Sequence, residues 1–227
     1  MGILTAKIEY GSINYGLNVE DSDHDYKLLY TPTFDDLYSS KVLDGVALPP
    51  QFNDKEHYST MDVRHYADLL RKCNPNTIEF LFSTNKEYFL KDWQANETAF
   101  KFAFEQGYII NGWEYFTSAV RGLILNSFKR MGTNPKTCSR AFYFYSLVEN
   151  IWNNNFVVNE EVLRDEKVTR WARAMRVNNS TAFNEETFKE VYDTLVNDKI
   201  HIPNPRVNDD IFTLNTKAFV EKHMMEV

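Results

Sequence analysis

The first sixty residues alternate between apolar and polar positions, which is the two-residue period of a half-buried β-strand. Three segments follow this pattern most clearly: residues 4–10, 26–30 and 57–62. Between the second and third, the Asp44-Gly45 and Pro49-Pro50 pairs have turn chemistry and predict a loop or hairpin. The first quarter of the chain is therefore predicted to be rich in β-structure.

From Val63 onward the apolar spacing becomes helical. Val63, Tyr66 and Leu70 belong to one apolar face that runs to about Lys72. An Asn-Pro-Asn segment then breaks the chain, and Asn76 followed by Glu79 predicts a capping box that starts a new helix. Helical spacing continues over six further segments: residues 88–105, 110–131, 136–153, 160–176, 184–198 and 214–226.

The helix predicted at 160–176 has two kinds of face. Its buried stripe is predicted to consist of Val168, Trp171, Ala172 and Met175. Basic residues lie around the rest of the same helix. Taken with the early strands, this order of elements predicts an α+β protein: a small mixed β-sheet core with helices, followed by a mostly helical C-terminal half. We place a sheet-containing domain at 1–90 and a helical domain at 91–227.

Composition adds bounds to this architecture. The chain has 227 residues, of which 43% are hydrophobic and 15% aromatic, enough to bury a substantial core. Cys73 and Cys138 fit neither a disulfide framework nor a zinc spacing, and we expect both to be reduced and buried. No apolar run approaches the length of a membrane span, and the N-terminus has no signal-peptide design. We therefore expect a cytoplasmic protein without a membrane partner.

Charge is unevenly distributed along the chain. The net charge is −7, yet residues 121–176 hold ten Lys or Arg and only five Asp or Glu. That segment carries +5, so the remainder carries −12. A basic helical region beside an acidic sheet end suits a bound polyanion with metal cations, and ordinary solvated helix faces explain the charge equally well.

The stretch GSINYGLNVEDSDHD, residues 11–25, contains the main candidate chemistry. Asp23 and Asp25 flank the start of a predicted strand, so their side chains should point to the same face. Two adjacent carboxylates repel each other unless a cation lies between them, and oxygen ligands favour Mg²⁺ or Mn²⁺. Gly11 permits a tight turn, and the N–H groups of Gly11 and Ser12 with the Ser12 hydroxyl are suited to a phosphate.

These residues resemble a known family. A strand ending in Gly-Ser, then about ten residues, then Asp-x-Asp leading into a second strand resembles the DNA polymerase beta-like nucleotidyltransferase superfamily. The segment GSINYGLNVEDSDHDYK is similar to a "predicted nucleotidyltransferase" branch found in RNA-repair operons and phages. The segment MDVRHYADLLRKCNPNTIEFLFS is similar to a downstream helix and Asn-Pro-Asn…Glu segment of that branch. The resemblance is closest over residues 1–90.

The resemblance implies roles for individual residues. Gly11, Ser12 and Tyr15 would bind a nucleoside triphosphate (NTP), and Asp23 and Asp25 would hold Mg²⁺ or Mn²⁺. The superfamily needs a third carboxylate, for which Asp62 is the first candidate and Glu56 the second. Asp62 also suits an N-cap for the helix that begins at Val63. Lys136 and Arg140, one helical turn apart, would contact phosphate oxygens, and solvated helix charges explain them equally well.

The implied activity is metal-dependent transfer of a nucleotide from an NTP to a hydroxyl acceptor, with release of pyrophosphate. An RNA end is one candidate acceptor. A protein hydroxyl or a small molecule is another, because the same chemistry serves all three. A third alternative is a non-catalytic nucleotide-binding module, such as a phage counter-defence protein.

Overall fold

The protein has the α+β architecture that its sequence predicts. A computed structural model describes residues 2–20, 22–38, 47–48, 55–197 and 210–224. Among these residues, all the strands lie before residue 89, and the second half is helical. The Asp44-Gly45 and Pro49-Pro50 turns predicted from the sequence lie outside the described residues.

A mixed sheet forms the centre of the first half. Its strands are β1 (Ile3–Tyr10), β2 (His24–Thr31), β3 (Ala47–Leu48), β4 (Glu56–Asp62) and β5 (Lys86–Tyr88). They are ordered β3-β4-β2-β1-β5. β2 pairs antiparallel with β1 and parallel with β4, while β5 and β3 add antiparallel edges. The sequence thus identified β1, β2 and β4. It did not predict β5, and the last residue of that strand, Tyr88, falls in the segment 88–105 predicted to be helical.

Ten α-helices and one 3₁₀ helix are present among the described residues. They are α1 (Phe34–Tyr38), α2 (Val63–Arg71), α3 (Pro75–Leu81), α4 (Trp93–Glu105), the 3₁₀ helix Tyr108–Gly112, α5 (Trp113–Met131), α6 (Pro135–Asn153), α7 (Glu160–Leu163), α8 (Glu166–Val177), α9 (Glu185–Asn197) and α10 (Asp210–Met224). No helix of the described part is both long enough and apolar enough to cross a membrane.

The chain divides into two compact units. The first contains Met1–Asn14, Ser22–Ala103 and Asn208–Val227, and the second contains Tyr15–Asp21 and Phe104–Val207. This division differs from the predicted boundary at residue 90, because α10 returns to the sheet-containing unit. Phe219 of α10 packs against Trp93 at a ring-centroid distance of 4.8 Å, and Phe212 packs against Phe100 at 4.9 Å.

Two buried clusters stabilise the first unit. The apolar one includes Ala6 and Ile8 of β1 and Tyr66 and Leu70 of α2, all of which are fully buried. In the polar one, Lys86 forms an ion pair with Glu97, and both side chains are at least 95% buried. The Glu97 carboxylate also accepts from the hydroxyl groups of Tyr66 (3.1 Å) and Tyr88 (2.7 Å). These partners matter because a buried, unpaired charge would be strongly destabilising.

Helix α3 begins differently from the prediction. Asn74, rather than Asn76, is the N-cap, and its side chain accepts from the N–H groups of Asn76 and Thr77. Pro75 occupies the first helical turn, where its missing N–H costs nothing. Glu79 therefore does not form the predicted capping box with Asn76.

The second unit is built around α6, whose Tyr143, Phe144 and Leu147 are buried. The single helix predicted at 160–176 is two helices, because Asp165 interrupts the chain and caps α8 through the N–H of Lys167. Cys73, in the first unit, and Cys138, in the second, are free and buried as predicted.

The predicted buried stripe of α8 is partly wrong. Val168 and Ala172 are buried, and Met175 is half-buried. Trp171, by contrast, is 63% exposed. Its position in the helix is one residue before Ala172, and the 100° step between them turns the indole away from the buried stripe.

Candidate functional site

The turn after β1 brings Gly11 against Asp25. Because β1 and β2 are antiparallel with Tyr10 opposite Asp25, the residue that follows Tyr10 lies beside the start of β2. Gly11 has φ +82°, a backbone conformation that residues with a side chain rarely adopt. A Cβ placed on Gly11 would lie 2.9 Å from the Asp25 Oδ2 atom. Glycine is thus required twice, for its backbone conformation and for this close approach.

Asp23 and Asp25 provide the carboxylates predicted from the sequence. Asp23 is exposed and comes immediately before β2, and Asp25 is half-buried at the second position of the strand. Within the part of the chain that the structure describes, no group of three or more His, Cys, Asp or Glu side chains is placed to hold a metal ion. Two carboxylates nevertheless fit Mg²⁺, which commonly takes one or two such ligands and completes its shell with water and substrate phosphates.

Glu79 is a site residue that the sequence reasoning missed. Its side chain is buried in α3, and its Oε1 atom accepts a hydrogen bond from the Gly11 N–H at 2.5 Å. The Asn14 side-chain amide donates to the Glu79 carbonyl at 3.1 Å, so α3 holds both ends of the Gly11–Asn14 turn. The Asn-Pro-Asn…Glu spacing contains Glu79, but only the fold brings it to Gly11.

This contact changes the predicted phosphate site. The Gly11 N–H points to a carboxylate, so the hydrogen bond predicted from this N–H to a phosphate is not available in this arrangement. Ser12, which is half-exposed, has both an N–H and a hydroxyl at the same turn. The phosphate-binding role predicted for the Gly11-Ser12 pair therefore depends chiefly on Ser12.

Lys27 supplies a positive charge on the Asp25 side of the sheet. Alternation along β2 puts the side chains of Asp25 and Lys27 on one face, two residues apart. Lys27 is buried, donates to the Ser59 hydroxyl at 2.6 Å, and lies 5.7 Å from the centroids of the Tyr10 and Phe80 rings. A buried ammonium group near a carboxylate stabilises the ionised form of that carboxylate.

Asp62 does not lie with Asp25. The strands β2 and β4 run parallel, and Asp62 is opposite Tyr30, five residues further along β2 than Asp25. Five residues of strand span about 16 Å, so Asp62 is at the other end of the sheet. Its carboxylate accepts from the Arg64 N–H at 2.8 Å and pairs with the Arg64 guanidinium at 2.6 Å. Asp62 is the N-cap of α2, and the register argues against a metal ion shared by Asp62 and Asp25.

Glu56, the second candidate, lies at the correct end of β4 but on the other face. It is opposite His24, whereas Asp25 is opposite His57. Since side chains alternate along a strand, Glu56 points away from the Asp25 side. Its carboxylate accepts from the Tyr58 hydroxyl at 3.0 Å. Burial and this bond to Glu56 raise the pKa of Tyr58 to about 12.

Three predicted NTP-binding residues belong to the second unit. Tyr15 is buried, and its ring packs 4.5 Å from that of Tyr143, so most of its surface contributes to the core. Lys136 is exposed in the first turn of α6. Arg140 is half-buried, with its guanidinium 5.7 Å from the Phe144 ring centroid. A role for these three residues in NTP binding stays a prediction.

Comparison with known proteins identified no relative: no protein-family model matches the chain, and no curated protein matches it.

Proposed function

We propose that the protein is a metal-dependent nucleotidyltransferase that moves a nucleotide from an NTP to a hydroxyl acceptor. The observation that supports this most directly is the apposition of Gly11 and Asp25, with 2.9 Å between a Cβ placed on Gly11 and Asp25 Oδ2. A glycine-serine turn and an Asp-x-Asp pair are far apart in sequence for a simple loop. The antiparallel pairing of β1 with β2 places the end of β1 beside the start of β2, which brings the turn and the aspartates together.

The resemblance to DNA polymerase beta-like nucleotidyltransferases supports the same proposal. It is carried by Gly11-Ser12 at the end of one strand and by Asp23 and Asp25 at the start of the next. Both strands occur where the resemblance requires them, and they are adjacent in the sheet. A surface loop that contained the same residues would need neither property.

Each residue has a distinct task under this proposal. The Ser12 N–H and hydroxyl bind an oxygen of the triphosphate, and Gly11 leaves room for the Asp25 carboxylate. Asp23 and Asp25 would hold Mg²⁺ or Mn²⁺, and such an ion would supply positive charge to the phosphates. Lys27 adds a positive charge on the same face of β2 as Asp25, and Glu79 fixes the turn by accepting from the Gly11 N–H. The acceptor oxygen forms a bond to the α-phosphorus, the bond between the α-phosphorus and the oxygen that bridges to the β-phosphorus breaks, and pyrophosphate leaves. The proton of the acceptor hydroxyl passes to water.

The acceptor is best identified by direct labelling. Each of the four α-³²P-labelled NTPs is incubated with the protein and Mg²⁺, in parallel with RNA oligonucleotides, with protein and with small hydroxyl compounds. The proposal predicts transfer of label to one acceptor class, release of pyrophosphate, and loss of both with Asp25→Asn. Absence of transfer to every class, with NTP hydrolysis also absent, would contradict the proposed enzyme.

A non-catalytic nucleotide-binding module is the second candidate. It is favoured by one observation: Asp62, the third carboxylate that the resemblance asks for, lies about 16 Å along the strands from Asp25 and caps α2. Calorimetry with NTP and Mg²⁺ separates the candidates. Tight NTP binding without label transfer would support the binding module, whereas binding together with transfer would support the enzyme.

A further inference from the structure

Helix α8 carries a basic surface with an exposed tryptophan. The side chains of Lys167, Arg170 and Arg173 are exposed, and Trp171, between them in sequence, is 63% exposed. We call these four residues the α8 basic face. No Asp or Glu occurs in the sequence from Lys167 to Asn184. The surface is therefore positive over the whole length of the helix after its first turn.

The opposite side of α8 fixes the helix to the second unit. Val168 and Ala172 are buried, and the helix packs against α6. Arg176 donates to the Leu17 carbonyl at 2.8 Å, and burial lowers the pKa of its guanidinium. Arg176 thus forms a hydrogen bond within the second unit, whereas the four residues of the α8 basic face are exposed to solvent.

The cations of the α8 basic face lie close together. Arg170 is three residues from both Lys167 and Arg173, so the three side chains project from successive turns about 4.5 Å apart along the axis. Among the residues that the structure describes, none of these three has a carboxylate partner, and the Trp171 ring contacts no other aromatic ring. Unpaired like charges repel one another, and a bound polyanion would relieve this repulsion.

We propose that the α8 basic face binds single-stranded nucleic acid. Lys167, Arg170 and Arg173 neutralise consecutive phosphates, and an unpaired base stacks on the indole of Trp171. Single strands suit this surface because their bases are free to stack, and every base has a face that an aromatic ring can contact. This inference does not depend on the proposed nucleotidyl transfer, since it concerns binding without NTP or metal.

Charge and burial favour nucleic acid over a lipid surface. An amphipathic helix that binds a membrane inserts its apolar face among the acyl chains. In α8 that face is already buried in the protein, and only Trp171 and Val177 remain as exposed large apolar side chains. An acidic peptide would satisfy the cations but would offer no base to the indole.

Fluorescence anisotropy with fluorescein-labelled 12-nucleotide U and dT oligomers tests the proposal. Three phosphate contacts predict that log K falls with log salt concentration with a slope of about −2. Arg170→Gln/Arg173→Gln should reduce that slope to roughly −0.7 and weaken binding at low salt. Trp171→Ala should weaken binding about 10-fold with the slope unchanged, while Trp171→Phe should retain most of the affinity.

A matched control separates this face from net charge. Lys129→Gln/Arg130→Gln also removes two exposed cations of the second unit, at the end of α5, and should leave binding and slope unchanged. Equal losses in the two double variants, with circular dichroism showing both folded, would overturn the proposal. Binding to phosphatidylserine vesicles without binding to either oligomer would also overturn it. Full oligonucleotide affinity in Trp171→Ala would show that no base stacks on Trp171 and would overturn that part of the proposal.

Discussion

The two ends of the parallel β2–β4 pair each carry an aspartate, and the two aspartates have different surroundings. Asp25 is half-buried and lies beside Gly11, in the turn that follows β1. Asp62 is buried, caps α2 and forms a two-oxygen ion pair with Arg64. One strand pair thus carries a half-buried aspartate beside the Gly11 turn and a buried aspartate that caps a helix and pairs with an arginine.

The difference shows how structural and functional carboxylates are distinguished. Asp62 Oδ1 accepts from the backbone N–H and the Nε of Arg64, and Oδ2 accepts from Nε and Nη2. An oxygen with this many donors gains little from a metal ion, because binding would first break those bonds. At the other end of the strands, Gly11 at φ +82° leaves room for the Asp25 carboxylate.

The largest expected effect is on catalysis at the Asp25 end. Asp25→Asn should lower NTP-dependent transfer by at least about 100-fold, because the substitution removes a negative charge from the reacting centre. Asp62→Asn should leave transfer nearly unchanged, since Asn also caps a helix and the site is about 16 Å away. Label transfer at saturating NTP and Mg²⁺, with melting temperature measured beside it, checks both. Comparable losses of label transfer in the two folded variants would show that Asp62 contributes to transfer as much as Asp25 does.

The next effect comes from the close approach at Gly11. Gly11→Ala should destabilise the protein by about 2–3 kcal/mol, since it combines a strained φ with a contact to Asp25. Gly16→Ala is the control, because Gly16 also has positive φ (+69°) but a Cβ there meets nothing within 4 Å. It should cost only about 1 kcal/mol. Urea denaturation measures both costs, and equal values would show that the approach to Asp25 is unimportant.

A smaller effect is expected at the Asp62 end. Asp62→Ala removes the cap of α2 and should destabilise the protein by about 1–2 kcal/mol. Arg64 is 44% exposed at its side chain, so water partly compensates the lost ion pair. NTP affinity of the folded protein should not change. Urea denaturation measures the free energy of unfolding, and calorimetry measures the NTP affinity. A fall in NTP affinity at unchanged stability would show that Asp62 contributes to NTP binding.

The smallest effect concerns Ser12. Ser12→Ala should weaken NTP binding by about 1–1.5 kcal/mol, near the lower limit for a bond to a charged group, because this residue is half-exposed. Stability should stay the same, since no structural bond of the Ser12 side chain is present in the described part of the first unit. Isothermal calorimetry gives the affinity. A lower melting temperature with full affinity would identify Ser12 as a turn residue only.

Local patterns predicted local structure well. Alternation placed β1, β2 and β4 within about two residues of their ends, and helical spacing found most of the later helices. Cap position and side-chain direction were less predictable. Asn74 and Asn76 are both good caps, and in the structure Asn74 is the cap, with Pro75 in the first helical turn. Trp171 lies next to the buried stripe of α8, and only the contact with α6 decides which residues at its border are covered.

The third carboxylate shows where sequence reasoning ends. The strand that ends at Asp62 was predicted correctly, but its direction in the sheet was not encoded in its alternation. In an antiparallel pair the end of β4 would meet the start of β2, and Asp62 would lie near Asp25. Because the pair is parallel, Glu56 meets His24, and Asp62 lies at the far end.

The sequence by itself determined the α+β class, the main strands and helices, and the nearness of Gly11-Ser12 to Asp25, because these depend on short-range periodicity and one hairpin-like pairing. Tertiary structure alone decided that Asp62 is a cap, that Glu79 contacts Gly11, that α10 joins the sheet-containing unit and that Trp171 is exposed. Each of these depends on which distant segments pack together. That choice is made by the burial of whole faces, and no single residue or local spacing encodes it.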